Sequence, residues 1–165
     1  MNLFIVAAFG AACSHPSDRA MELRAALDET KISLGDSVAI SEQDGASART
    51  ASLLTGADPV YAIDRESQAQ FENVKVDGRS GTILSAVAMA APSSEDCAGA
   101  ISLADAIDAA LAEVSGDAVS AGPDDDGRCN TEVIVLSGDV EWEVKIGPSG
   151  DLVESPEKAD GESEK

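Results

Sequence analysis

The chain has 165 residues and a formal net charge of −20, with 31 Asp and Glu against 11 Lys and Arg. That balance argues against nucleic acid or an anionic membrane surface as partner, because neutralising phosphates requires clustered Lys and Arg. It admits a basic protein partner or divalent cations, and a well-solvated surface accounts for it equally. Aromatic residues are limited to Trp142, Tyr61 and three Phe, so the core must be built mainly from Val, Ile, Leu and Ala.

Leu3–Ala12 is an apolar run that ends in small residues. It is too short to span a bilayer and suits the apolar region of a secretory signal, so residues 1–12 read as an export segment. Gly10-Ala11-Ala12-Cys13 resembles a bacterial lipobox, in which signal peptidase cuts before a cysteine that becomes lipidated. It differs in having Gly10 where Leu is usual and no basic residue ahead of the run; a free cysteine on an apolar terminus is the alternative. Export to the periplasm or cell envelope would place Cys97 and Cys129 where a disulfide persists. With Cys13 lipidated they are the only pair left.

Residues 13–30 read as a linker holding a short helix, capped by Ser17 or Asp18 and running through Leu27. From there the chain states one pattern twice. Ile32-Ser33-Leu34-Gly35-Asp36-Ser37-Val38 returns as Ile101-Ser102-Leu103-Ala104-Asp105-Ala106-Ile107, and Ser80-Gly81-Thr82-Ile83-Leu84 returns as Ser149-Gly150-Asp151-Leu152-Val153, each pair spaced by the same interval. Ser33 and Ser102 are N-cap residues, with Asp36 and Asp105 in capping-box position. Leu103, Ile107, Ala110, Leu111 and Val114 make the stripe of a helix, which should stop near Gly116; the first helix is poorer and should stop near Gly45.

Short strands follow each helix. In the first copy these are Ser47–Leu54, Val60–Asp64 and Phe71–Val76, then a turn into Thr82-Ile83-Leu84. In the second they are Asp117–Ala121, Thr131–Leu136 and Val140–Ile146, then a turn into Asp151-Leu152-Val153. The fold class is therefore α+β: two tandem units at 31–87 and 100–154, each one helix packed on a small antiparallel β-meander. Residues 88–99 form the linker, and 155–165 an acidic tail with the composition of a disordered segment. Whether the two sheets merge is left open.

This arrangement resembles the PepSY domain. Lys31-Ile32-Ser33-Leu34, Pro59-Val60-Tyr61-Ala62-Ile63 and Val74-Lys75-Val76-Asp77-Gly78-Arg79-Ser80-Gly81-Thr82-Ile83 carry the likeness in the first unit. Ile101–Ile107, Val133-Ile134-Val135 and Trp142–Leu152 carry it in the second, which has Thr131 where Tyr61 stands. PepSY domains occur in propeptides of thermolysin-like metallopeptidases and in exported bacterial proteins. The resemblance implies binding and restraint of a peptidase or modulation of envelope proteins, with no shared catalytic residues.

Individual residues fit that expectation. His15, the sole histidine, falls in the linker, away from any triad geometry. Asp124, Asp125 and Asp126 are the best candidate cation ligands, on a turn without EF-hand spacing; no metal site and no cofactor is expected. In a helix-then-meander unit the second strand starts near the helix N-terminus, which should bring Cys97 and Cys129 together; two independent thiols are the alternative. Trp142, in phase with Val140, Val144 and Ile146, reads as core, and Tyr61 as a half-buried strand residue. The sequence thus points to a non-enzymatic exported protein that binds a protein partner, with any membrane contact made through lipid at Cys13. The alternative is a cation-binding or structural envelope lipoprotein.

Overall fold

A computed structural model describes residues 17–68, 70–91, 97, 99–125 and 129–159. Cys13, His15 and Asp126 lie outside the described residues. Three helices, α1 (Asp18–Leu27), α2 (Leu34–Ser41) and α3 (Leu103–Glu113), accompany eight strands: β1 (Ser47–Leu54), β2 (Val60–Ser67), β3 (Gln70–Asp77), β4 (Ile83–Met89), β5 (Asp117–Pro123), β6 (Thr131–Ser137), β7 (Val140–Ile146) and β8 (Glu157–Lys158). The strands form one antiparallel sheet in the order β4-β3-β2-β1-β5-β6-β7-β8. Where the sequence leaves open whether the sheets merge, β1 and β5 join them, pairing Ala51 with Ala121 and Ser52 with Ser120.

The helices start where capping chemistry dictates. Ser33 Oγ accepts from Asp36 N at 3.0 Å while the Asp36 carboxylate accepts from Ser33 N at 2.9 Å. The Asp36 carboxylate accepts from the Ser33 hydroxyl as well, at 2.8 Å, and the bonds from the Ser33 N–H and hydroxyl hold it below its ordinary range. Ser102 caps α3 through its hydroxyl, which accepts from Asp105 N at 3.1 Å and donates to the Asp105 carboxylate at 2.7 Å. α2 and α3 pack side by side on one sheet face, closing a single core in which Leu34, Val38, Leu103 and Ile107 meet Ala51, Ile63, Val74, Ala121, Val133 and Val144.

The two halves run in parallel detail. Lys31 N donates to Gly78 O at 2.8 Å, as Ile101 N does to Pro148 O at 3.0 Å. Gly81 and Gly150 hold left-handed φ of 71° and 89° in the turns that follow, against Ile32 and Ile101 respectively, a conformation that favours glycine. A β-bulge interrupts β1 between Ala48 and Thr50 and β5 between Ala118 and Ser120.

α1 takes the other side of the sheet. Ile134 and Leu136 alternate with the core residues Val133 and Val135, so they face away from α3, yet both are buried. α1 contacts β1 and β6 and buries Ala20, Leu23 and Ala26. It is tied down by Arg19 to Glu141 (3.2 Å), and by Arg24 to Asp117 (3.2 Å) and Gly138 O (2.6 Å).

Four sequence expectations need correction. Tyr61 is fully buried, not half-buried. Trp142 is only half-buried: it is in phase with Val144 and Ile146 but one step nearer the rim of the helix layer. The segment expected only as Thr82-Ile83-Leu84 extends into a seven-residue strand, β4, reaching into the expected linker. Within the expected tail, Glu157 and Lys158 pair with β7 as β8.

Candidate functional site

A cleft of about 660 Å³ opens on the helix face where the two halves meet. Ala48, Arg49 and Thr50 of β1 and Glu42 after α2 form one wall. Ile101, Ser102 and Leu103 at the start of α3 form the opposite wall, and Pro123 and Thr131 lie at the ends of β5 and β6. Its size is that of sites that take a small molecule or a few side chains of a peptide.

One residue lining the cleft, Thr131, differs in kind from its counterpart in the first half. In the first half Tyr61 pairs across β2–β3 with Val76, and its hydroxyl donates to Ile32 O at 2.9 Å, fastening the lead-in of α2 to the sheet. Burial pushes the Tyr61 hydroxyl pKa up. In the second half the matching position, opposite Ile146, is Thr131. Threonine is much smaller than tyrosine and has no phenol hydroxyl, and Thr131 and Ile101 both line the cleft. The sequence carries the signal, Thr131 in place of Tyr61, but not the placement of Thr131 beside β1 and the start of α3 in one cleft.

Cys97 and Cys129 close the outer rim. The structure brings their Sγ atoms to 2.10 Å and their Cα atoms to 5.5 Å, joining the approach to α3 to the approach to β6. The cleft is polar at its edges. Arg49 is held by Glu66 at 2.7 Å, and the Glu42 carboxylate accepts from Ala48 N at 2.8 Å.

The expected cation ligands are arranged differently. Asp124 is buried, and its backbone N–H donates to Asn130 O at 3.0 Å. Its Oδ2 lies 3.6 Å from the Lys145 ammonium, which also meets Glu143 at 3.4 Å and Glu154 at 3.2 Å. Asp125 is exposed. The Glu154 carboxylate, aided by Asp124 and Glu143, raises the Lys145 pKa, so the ammonium stays charged among these acids. Burial, with Glu143 and Asp124 nearby, raises the Glu132 carboxyl. Among the described residues no group of three or more His, Cys, Asp or Glu is arranged to hold a metal ion. Among them, too, no helix is long and apolar enough to cross a membrane.

Comparison with known proteins agrees with the second half of this description. Residues 100–154, from the lead-in of α3 to just past the Leu152 bridge to Ile146, match the family model PepSY, described as peptidase propeptide and YPEB domain. The chain is also similar to a solved protein of Clostridium difficile 630 described as a "putative lipoprotein", at 17% identity and a TM-score of 0.46, over 78% of this chain and 94% of that one. No curated protein matches the chain.

Proposed function

We propose that the chain is an exported, non-enzymatic PepSY protein that binds another protein in the cell envelope and restrains or modulates a peptidase. Residues 31–87 act as a diverged second PepSY unit, and Cys97 and Cys129 are joined as a disulfide. The observation that carries this reading is the cleft at Thr131, beside the PepSY match. It is a recess between the start of α3 and the end of α2, wide enough for side chains of an extended partner segment, lined by hydrogen-bonding groups such as Arg49, Thr50 and Ser102 together with the apolar Ile101, Leu103 and Pro123. Export and lipid attachment at Cys13 rest on the apolar run and the lipobox-like sequence. The alternative, a cation-binding envelope lipoprotein, has less support. At the most acidic cluster among the described residues, Lys145 already supplies the positive charge that a divalent ion would bring.

The test is affinity capture from envelope extract with the full chain, beside Thr131→Tyr, followed by assay of any captured peptidase. A peptidase retained by the native chain, slowed by it in proportion to occupancy and released by Thr131→Tyr, is the expected result. Identical captured proteins on both baits, or no effect on any peptidase captured, would overturn the proposal.

A further inference from the structure

The two ends of the eight-stranded sheet are finished differently. At one end β8 is two residues long, charged, and preceded by Pro156. Short, charged, proline-flanked edges are how proteins prevent a sheet from adding strands. At the other end β4 spans seven residues with no proline and no charge, and no charged residue occurs anywhere between Arg79 and Glu95. Among the described residues β4 is little covered on either face: six of its seven residues are exposed and Ser85 is half-buried. Ile83, Leu84, Val87 and Met89 are all exposed, Val87 at 60%.

We infer that the β4 edge is a self-association surface, on which a second copy of this chain pairs β4 with β4 in antiparallel fashion to make a sixteen-stranded sheet. Charge favours a second copy as the occupant. Residues 60–91, which carry β2, β3 and β4, hold four acids and three bases, whereas residues 117–159 hold eleven acids and three bases. The chain is therefore nearly neutral only at this end. A two-fold axis through β4 brings the neutral ends together and sends the acidic ends outward. Along the sheet the two β6 strands then stand eleven strand spacings apart, roughly 50 Å. That is several times the screening length of about 8 Å at physiological salt. A basic partner would find no acid on β4 to meet.

The pairing is self-complementary. β4 has a bulge near its start, with Val76 paired to Ile83 and Lys75 to Ser85, so its regular part is Ser85–Met89, centred on Val87. Antiparallel pairing about that centre sets Val87 against its copy, Ser85 against Met89 and Ala86 against Ala88. The cleft at Thr131, on the far side of β1, remains open in such a dimer, so this inference stands apart from the proposed function.

Sedimentation of the full chain carrying Cys13→Ser tests it. The expected mass is twice the 16.8 kDa of one chain, with the dimer strengthened by added salt as the residual acidic repulsion is screened. Val87→Lys should raise the dimer dissociation constant at least about tenfold by placing like charges opposite one another, with an unchanged melting curve at concentrations where both are monomeric. Val153→Lys, at the opposite end of the sheet, should leave the dimer intact. Val87→Cys should oxidise to a covalent dimer. A monomer at all concentrations, an assembly indifferent to Val87→Lys, or a Val87→Cys chain that does not cross-link would each overturn the inference.

Discussion

Exchanging the residues at positions 61 and 131 tests the origin of the cleft directly. Tyr61 is fully buried against the core, and its hydroxyl bonds to Ile32 O at 2.9 Å. Tyr61→Thr removes an aromatic ring and that bond together. Large-to-small changes at such sites cost about 3–5 kcal/mol, which in a chain of this size lowers the melting temperature by roughly 6–20 °C. Tyr61→Phe keeps the ring and leaves Ile32 O without this donor, costing about 1–2 kcal/mol. Thr131→Tyr should behave oppositely. The cleft already provides room for the ring, so the cost of overpacking, otherwise about 1–3 kcal/mol, should be absent and the change nearly neutral. Thermal unfolding followed by circular dichroism measures all three. The reasoning fails if Tyr61→Thr is tolerated as well as Tyr61→Phe, or if Thr131→Tyr destabilises as much as Tyr61→Thr.

Replacing Cys97 and Cys129 together by Ser should lower stability by about 3–4 kcal/mol, from the entropy of closing a loop across a separation of 32 residues; equal denaturant midpoints for the variant and the oxidised parent would count against a formed bond. Glu132→Gln should stabilise the protein at neutral pH. The Glu132 carboxyl is raised in the folded state by burial first and by Glu143 and Asp124 next. Its protonated form is therefore favoured by folding, and the stability tied to it is present below the unfolded value and lost as pH rises through the folded one. The gain from Glu132→Gln should accordingly shrink in melts run below about pH 4; a gain independent of pH would show that the substitution acts otherwise.

The parts of the fold visible in the sequence are those fixed by local chemistry. Ser33 and Ser102 cap because a hydroxyl three residues ahead of a free N–H has one obvious bond to make. β7 falls where alternation marks it. β4 is legible only at its start, because Ser85, Ala86 and Ala88 carry little strand preference and its pairing comes from β3. The single sheet was not readable because β1 and β5 meet through Ala and Ser, which specify no partner. α1 showed only a partial stripe because it packs through Ala20 and Ala26 as well as Leu23. The candidate site was half legible. The cysteine pair follows from topology and the Tyr61-to-Thr131 difference is plain, but the space created needs the relative placement of α2, α3 and the sheet.

Those two features answer one mechanical problem in two ways. Each half must fix the lead-in of its helix to the start of its second or sixth strand, since neither Ile32 nor Ile101 lies within a regular element. The first half does so from inside: the Tyr61 ring fills the gap and its hydroxyl grips Ile32 O. The second half has no such side chain, and there Cys97, four residues before Ile101, meets Cys129, two before Thr131. A link at the rim joins the corresponding two segments through Cys97 and Cys129 instead of through a core side chain. The tie is thus moved from the interior to the edge, and an interior position otherwise needed for packing becomes a recess. On this logic a chain with Cys97 and Cys129 both changed to Ser should recover part of its lost stability when Thr131→Tyr is added. That rescue, read from the same denaturation curves, should leave the cleft closed and partner capture abolished. If the added tyrosine restores nothing, the two ties are not equivalent and the cleft has another cause.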